Sequence, residues 1–390
     1  MFTGFSGANN YFLLELILYF SLLNIIHAYF TYPLSIYILG IKRKNQVIKG
    51  YSEFKVTIII TAFNEEKRVE NKIKNTIATA YPKERLQIIV SSDGSTDKTN
   101  TIVKKYKNNG VELIHIAERK GKENAQREAL KHARGEVVVF TDVATILEKN
   151  AIEQIVSNFS DPAIGCVTSE DRLIGKDGKQ SGENFYIRYE MWLRRLESRV
   201  SSPVGLSGSF FAARRSVCED FSADMDSDFR TLLNSVKRGM RGTCDEEAIG
   251  YYFDLFDQRK EFDRKVRTVL RGLTVFFRNI EFMNVYKYGL FSYQIFCHKL
   301  LRWLVPFLMI ILYLVNIPLA LVSNKYFALL VAQSLFYGVG VLSLLNGLYS
   351  SQRIFIKIPI YFLTVNASIL VAWYRYLTGQ RVIIWTPSER

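Results

Sequence analysis

The sequence predicts an α/β domain with a mostly parallel sheet, inserted between segments long and apolar enough to cross a membrane. Three observations carry this reading. Short apolar runs at 54–61, 87–90, 111–116 and 136–141 each lead into a polar turn. Three βα units with crossovers this short form a parallel sheet with right-handed connections. Residues 16–41, 303–324, 326–352 and 358–374 contain no formally charged side chain. A hydrophobic content of 48% also coexists with a formal net charge of +14 over 390 residues, because apolar and basic residues are segregated along the chain.

The first three uncharged segments can each cross a bilayer core of about 30 Å, and the fourth is marginal. The first is far longer than the apolar core of a secretory signal, about 7–15 residues. Residues 1–10 hold no Lys or Arg, whereas Lys42, Arg43, Lys44 and Lys49 follow the first segment. The positive-inside rule then puts the N-terminus outside and residues 42–300 in the cytoplasm. Segments 303–324 and 326–352 form a hairpin that returns Arg353 and Lys357 to that side. A fourth crossing would leave Arg375, Arg381 and Arg390 outside, so 354–377 is either a span, a re-entrant segment or a helix split at Pro359.

The expected organisation is an N-terminal membrane helix with a basic flank (1–50), an α/β domain (51–272), an amphipathic helix in the membrane interface (273–301) and a C-terminal membrane region (302–390). The interfacial helix is read from aromatic residues interleaved with Arg and Lys, among them Phe276, Phe282, Tyr286 and Phe291. The positive charge suits anionic lipid headgroups and phosphorylated ligands. No recognised nucleic-acid module accompanies it. The four cysteines show no CxxC spacing, so neither a disulfide nor a zinc site is implied.

The domain is organised around residues 87–99. Ile88, Ile89 and Val90 form a β-branched run suited to a sheet covered on both faces. Gly94 permits a sharp turn, and Ser95, Thr96 and Asp97 are helix-capping types. Asp93 therefore stands at the carboxyl end of a strand, where open α/β sheets bind nucleotides. Helices are expected over 69–80, 123–133, 151–159 and 183–200. Further strands are expected at 164–169 and 204–213, with a turn-rich loop at 175–182 and an acidic loop at 224–230 entering a helix.

The succession Thr61-Ala62-Phe63-Asn64-Glu65, Asp93-Gly94-Ser95-Thr96-Asp97 and Arg119-Lys120-Gly121-Lys122 resembles glycosyltransferase family 2. The likeness covers about residues 54–272 and points to the membrane-embedded branch that includes cellulose and hyaluronan synthases, with a GT-A fold. It implies that Thr61, Asn64, Glu65 and Asp93 hold the nucleoside of a nucleotide-sugar and that Lys122 lies near the diphosphate. The family's metal pair is two acids separated by one residue, but here the string is Asp142-Val143-Ala144. A Mg2+ or Mn2+ ion would then rest on Asp142, the diphosphate, water and another carboxylate.

The family also places a catalytic base in a short acidic string before a helix. Asp228, within Asp224-Met225-Asp226-Ser227-Asp228-Phe229, matches that place, with helix capping as the structural alternative for Asp226 and Asp228. Ser169-Glu170-Asp171 looks alike but stands too early in family order. Gly208, in the glycine-punctuated run 205–210, would line the acceptor pocket, and a packing strand explains the run nearly as well. The Gln-(Gln/Arg)-x-Arg-Trp string of processive members is absent. Arg264, Arg267 and Arg271 recur at i, i+3 and i+7 instead, a helix face for diphosphate, acceptor or lipid headgroups.

The resemblance implies an integral protein of the plasma or inner membrane whose cytoplasmic domain is an inverting glycosyltransferase. Its donor would be a nucleotide-sugar, a UDP-sugar by preference, and its acceptor a growing surface polysaccharide or a lipid-linked glycan. Few spans leave export to a partner or a second copy of the chain. Transfer of one sugar to a lipid, and a degenerate membrane scaffold suggested by Ala144, are the alternatives.

Overall fold

The computed structural model describes residues 5–43, 45–50, 53–174, 185–221, 225–253, 258–345 and 353–381. The expected loop at 175–182 and Asp224 lie outside them. In chain order the elements are α1 (Phe5–Ile26), a π-helical turn (His27–Thr31), α2 (Tyr32–Lys42), β1 (Val56–Ala62), α3 (Val69–Ile77), β2 (Leu86–Asp93), α4 (Thr99–Lys104), β3 (Val111–Ile116), α5 (Lys122–Leu130) and β4 (Val137–Asp142). There follow β5 (Ile146–Leu147), α6 (Ala151–Ser157), β6 (Ile164–Ile174), α7 (Phe185–Val200), β7 (Phe210–Arg214), α8 (Ser227–Lys237), β8 (Arg241–Phe253) and α9 (Gln258–Arg278). The chain continues through α10 (Val285–Tyr288), α11 (Leu290–Ile295), α12 (Arg302–Ala320), α13 (Asn324–Leu345) and α14 (Ile354–Leu377).

Over the described residues, Ile36–Phe256 with Thr274–Ser292 forms one compact unit, and Met1–Ser35, Asp257–Leu273 and Tyr293–Arg381 form the other. The first unit is built on an eight-stranded sheet of order β3-β2-β1-β4-β7-β6-β8-β5. Strands β3, β2, β1 and β4 are parallel, β7 runs antiparallel to β4 and β6, and β6 pairs parallel with β8. Every residue of β1 is buried, as expected of a β-branched strand with helices on both faces. Val56, Ile58 and Ile60 join Val69, Ile73 and Val103 in one core layer. On α5 the buried positions include Ala125 and Ala129, small enough for that helix to lie close on β1 and β2.

Several elements differ from expectation. Residues 204–209 are irregular, and strand pairing begins at Phe210. The 13-residue strand β8 was not anticipated, because Asp245-Glu246-Glu247 at its middle reads as a polar loop. The acids are met by cations distant in sequence: Lys49 Nζ lies 2.9 Å from Asp245 and 2.7 Å from Glu247, and Arg195 lies 3.7 Å from Glu246.

The second unit contains most of the apolar helices. Among the described residues four stretches are long and apolar enough to cross a membrane: Tyr11–Lys42, Leu290–Ala320, Asn324–Leu345 and Ile354–Leu377. Leu18, Leu312, Leu319 and Tyr326 pack together, as do Ala28, Leu301, Val305 and Met309. Pro359 sits inside α14 without dividing it. The expected single amphipathic helix over 273–301 is divided. Helix α9 ends at Arg278, a 3-10 turn covers Ile280–Met283, and the side chain of Asn284 caps α10 by accepting from the N–H groups of Tyr286 and Lys287. A chain that satisfies helix-end donors locally starts a new helix there. From Leu290 the chain runs through a second π-helical turn, Phe296–Leu301, into α12.

Lys49→Met should lower stability by about 1–2 kcal/mol, since it strips the cation from Asp245, whose side chain is 1% exposed and keeps the neutral donors of the Asn158 amide and the Glu247 N–H. Denaturant titration of the two proteins at one ionic strength measures this, and an unchanged midpoint would show that the pair holds nothing.

Candidate active site

The parallel strands β1, β2 and β4 end together. Thr61 on β1 stands opposite Ser91 on β2 and Asp142 on β4. Two turns leave this edge and interlock. Asn64, at φ 50°, accepts from the Thr96 N–H at 2.9 Å through its Oδ1, while its own N–H donates to Ser95 Oγ at 3.1 Å. The N–H of Glu65 donates to Thr99 Oγ1 at 2.8 Å, and that of Glu66 to Asp97 Oδ2 at 3.0 Å. Asn tolerates the left-handed backbone that this turn requires.

Asp93 is buried at the end of β2, and its two carboxylate oxygens accept the N–H groups of Lys120 and Gly121 at 2.9 and 2.8 Å. Gly94, at φ 68°, is required here, because a Cβ would lie 2.6 Å from the Arg119 nitrogen. The turn thus delivered places the Arg119 guanidinium 3.7 Å over the Phe63 ring and starts α5 at Lys122. Lys122 Nζ lies 2.5 Å from Asp142 Oδ1 and donates to the Gly208 carbonyl at 2.7 Å.

Pairing of β7 against β4 brings 207–209 to the same place, where the Asp142 N–H donates to the Ser209 carbonyl at 3.1 Å. A Cβ on Gly208 would lie 2.5 Å from Asp228 Oδ2, so the glycine is what lets that carboxylate in. Asp228 stands in the first turn of α8, whose N-cap position is Asp226. Lys122, Asp142, Gly208 and Asp228 therefore converge, with Asp93 one turn behind Lys122. Arg264 and Arg267 belong to the other compact unit, on α9, where Arg264 makes two hydrogen bonds to Glu261 at 2.7 and 2.8 Å.

The surroundings of Glu65 and Thr61, and the places of Asp171 and Lys72, are not legible in the sequence. Glu65 is gripped by Arg68 through two hydrogen bonds of 2.7 and 2.8 Å, and burial pushes its carboxyl up against that pairing. Asp171, from the string set aside above, lies inside β6 and accepts from Ser207 Oγ at 2.7 Å, so it braces the Gly208 segment. Burial raises its pKa, opposed by Arg194. Thr61 Oγ1 is buried with no hydrogen-bond partner among the described residues, as a group awaiting a ligand would be. Lys72 lies beneath the Asp142 turn, 3% exposed. Its place on the apolar face with Val69, Ile73 and Thr76 was the available signal. A groove lined by Lys55, Arg85, Gln87, Glu112 and Arg134 lies at the opposite, amino end of the strands and gathers none of these groups.

Among the described residues no three His, Cys, Asp or Glu side chains are grouped as a metal would need. Asp142, one-fifth exposed, still fits a hard cation that takes one carboxylate and completes its shell with phosphate oxygens and water.

Burial pulls the Lys72 ammonium down to about 7, opposed by Asp142. A lysine depressed on folding costs stability wherever the unfolded chain stays protonated, and that cost fades as pH climbs from 7 toward the unfolded value. Relative to Lys72→Met, the wild type should therefore gain about 2 kcal/mol between pH 7 and pH 9. Parallel denaturation at the two pH values reads the difference, and equal gaps would mean that the amine is not depressed.

Comparison with known proteins fits this geometry. Over 94% of this chain and 100% of the other, the fold superposes on a mannosyltransferase from Pyrobaculum calidifontis in complex with GDP-Man and Mn2+, at a TM-score of 0.70 and 21% identity. The fold is accordingly GT-A. The poly-beta-1,6-N-acetyl-D-glucosamine synthase of Staphylococcus aureus (strain COL) is 28% identical over 193 residues, 48% of this chain and 46% of that protein. The same-named enzyme of Staphylococcus epidermidis is 26% identical over 188 residues, 47% and 44% of the respective chains. The matched stretch thus spans about half the length of these curated relatives. Residues 57–221 match the model of Glycosyl transferase family 2, and this segment of the chain is a domain of that family.

Proposed function

We propose that this protein is a membrane-bound inverting glycosyltransferase that moves a sugar from a nucleotide-sugar to a glycan acceptor. The observation that carries the reading is the meeting of Lys122, Asp142, Gly208 and Asp228 at the carboxyl ends of parallel strands. A UDP-sugar is the donor, and N-acetylglucosamine is the first sugar to test, since the curated relatives are named as synthases of its polymer.

Asp228 is the base. Its carboxylate takes the proton of the acceptor hydroxyl, whose oxygen bonds the anomeric carbon on the face opposite the breaking bond to the diphosphate. Thr61, Asn64, Glu65 and Asp93 form the nucleoside end of the site, with Asp93 acting through the backbone of Lys120 and Gly121. Lys122 meets the negative charge that develops on the diphosphate, in a site where such charges interact strongly. A Mg2+ or Mn2+ ion held by Asp142 and the phosphate oxygens would supply further charge neutralisation there. Arg264 and Arg267 are assigned to the diphosphate or acceptor, with Arg264 already neutralised in part by Glu261. Four long apolar helices and the basic residues after the first of them support a membrane location with the α/β unit in the cytoplasm.

Release of UDP or GDP across a panel of sugar nucleotides tests the reading, and sizing of the labelled product separates a polymer ladder from a single lipid-soluble band. A degenerate scaffold is favoured by one observation, Ala144 in place of the second metal acid. Absence of nucleotide release and of nucleotide binding in Mg2+ or Mn2+ would establish it. Asp228→Asn should lower kcat by about 10²–10⁴-fold with donor KM little changed. Gly208→Ala, by pushing that carboxylate aside, should cost on the order of 10²-fold. Equal steady-state rates for wild type and Asp228→Asn would remove Asp228 from the mechanism.

A further inference from the structure

We propose that Lys72 is a positioning residue of the donor site, its amine pinning from below the turn that carries Asp142. The inference deepens the transferase reading and rests on Asp142 belonging to the donor site.

Lys72 Nζ donates to Thr141 Oγ1 at 2.9 Å and to the Thr145 carbonyl at 2.7 Å. These are the residue before Asp142 and the residue three beyond it, so one amine spans the whole turn. The next turn of the same helix face repeats the grip. Asn75 Oδ1 accepts the Leu147 N–H at 2.8 Å, and Asn75 Nδ2 donates to the Leu147 carbonyl at 2.9 Å. Beyond α3, the Ala80 N–H donates to the Lys149 carbonyl at 2.7 Å. The stretch 141–149 is thus stitched to α3 and the segment after it.

Asn75 and Ala80 could hold that stretch with neutral groups, yet a lysine is buried directly under the carboxylate. Placing an ammonium in a dry interior is costly unless a charge or fixed dipoles repay it. The compensation here is Asp142, which attracts Lys72 through the turn while Lys122 Nζ binds it from the other side at 2.5 Å. Two amines flank one carboxylate, beside Ala144. The lower amine fixes where Asp142 sits, and the upper one can turn to the donor without leaving that carboxylate unsupported.

The test uses the full chain in lipid nanodiscs as wild type, Lys72→Met, Lys72→Arg and, as a surface control on the same helix, Lys74→Met. Amide hydrogen exchange over 141–147 is followed without ligand, and UDP affinity, donor KM, kcat and half-saturating Mn2+ are then measured. Lys72→Met should speed exchange over 141–147 at least tenfold and raise donor KM and the Mn2+ requirement at least tenfold, with a smaller change in kcat. Lys72→Arg, which keeps a cationic donor, should recover part of each, and Lys74→Met should match the wild type. Wild-type exchange in Lys72→Met, or faster exchange with donor KM and Mn2+ requirement unchanged, overturns the proposal. A wild type that binds no nucleotide and turns over no donor overturns the transferase reading instead, and the exchange data then decide whether Lys72 pins the turn at all.

Discussion

One ammonium holds three separate parts of the chain at a single point. Lys122 reaches Asp142 at the end of β4 and the Gly208 carbonyl before β7, and Gly208 in turn admits Asp228 at the start of α8. Its position is set by Asp93, which fixes the two preceding peptide groups by accepting their N–H groups. Buried carboxylate-to-backbone hydrogen bonds are among the stronger ones a protein makes. Loss of this ordered chain of contacts would leave the carboxyl edge of the sheet with the same residues and no common geometry.

Around that centre the turns after β1 and β2 stabilise each other rather than standing alone. Each supplies acceptors for the other's N–H groups, through Asn64 with Thr96 and Glu66 with Asp97. Backbone donors at helix starts would otherwise be unsatisfied. The interlocking ties the two turns together before any ligand arrives, which would lower the entropy lost on binding at the proposed nucleoside end of the site.

Charge burial is concentrated at the same edge. Lys72, Glu65 and Asp171 are buried ionisable groups, each with a partner: Asp142 through the turn, Arg68, and Ser207 with Arg194. Such groups seldom add stability over apolar residues of equal size. Their gathering behind the Asp142 and Gly208 segments is a mark of a site in which geometry matters more than stability.

The sequence by itself determined the parallel half of the sheet, the turns bearing Asn64, Asp93 and Lys122, and the apolar helices, because these depend on local periodicity and on turn chemistry contained in a few neighbouring residues. Strand β8 escaped it: Asp245-Glu246-Glu247 is compatible with a strand only once Lys49 and Arg195 are beside it, and no local window includes them. The division of 273–301 into shorter elements turned on a side-chain cap at Asn284 that composition does not display. Tertiary structure alone decided that Lys72 goes under the Asp142 turn, that Asp171 braces Ser207, and that Gly208 makes room for Asp228. Those contacts join residues from 20 to 73 positions apart, and their geometry comes from sheet order, which a linear reading of hydrophobic pattern does not contain.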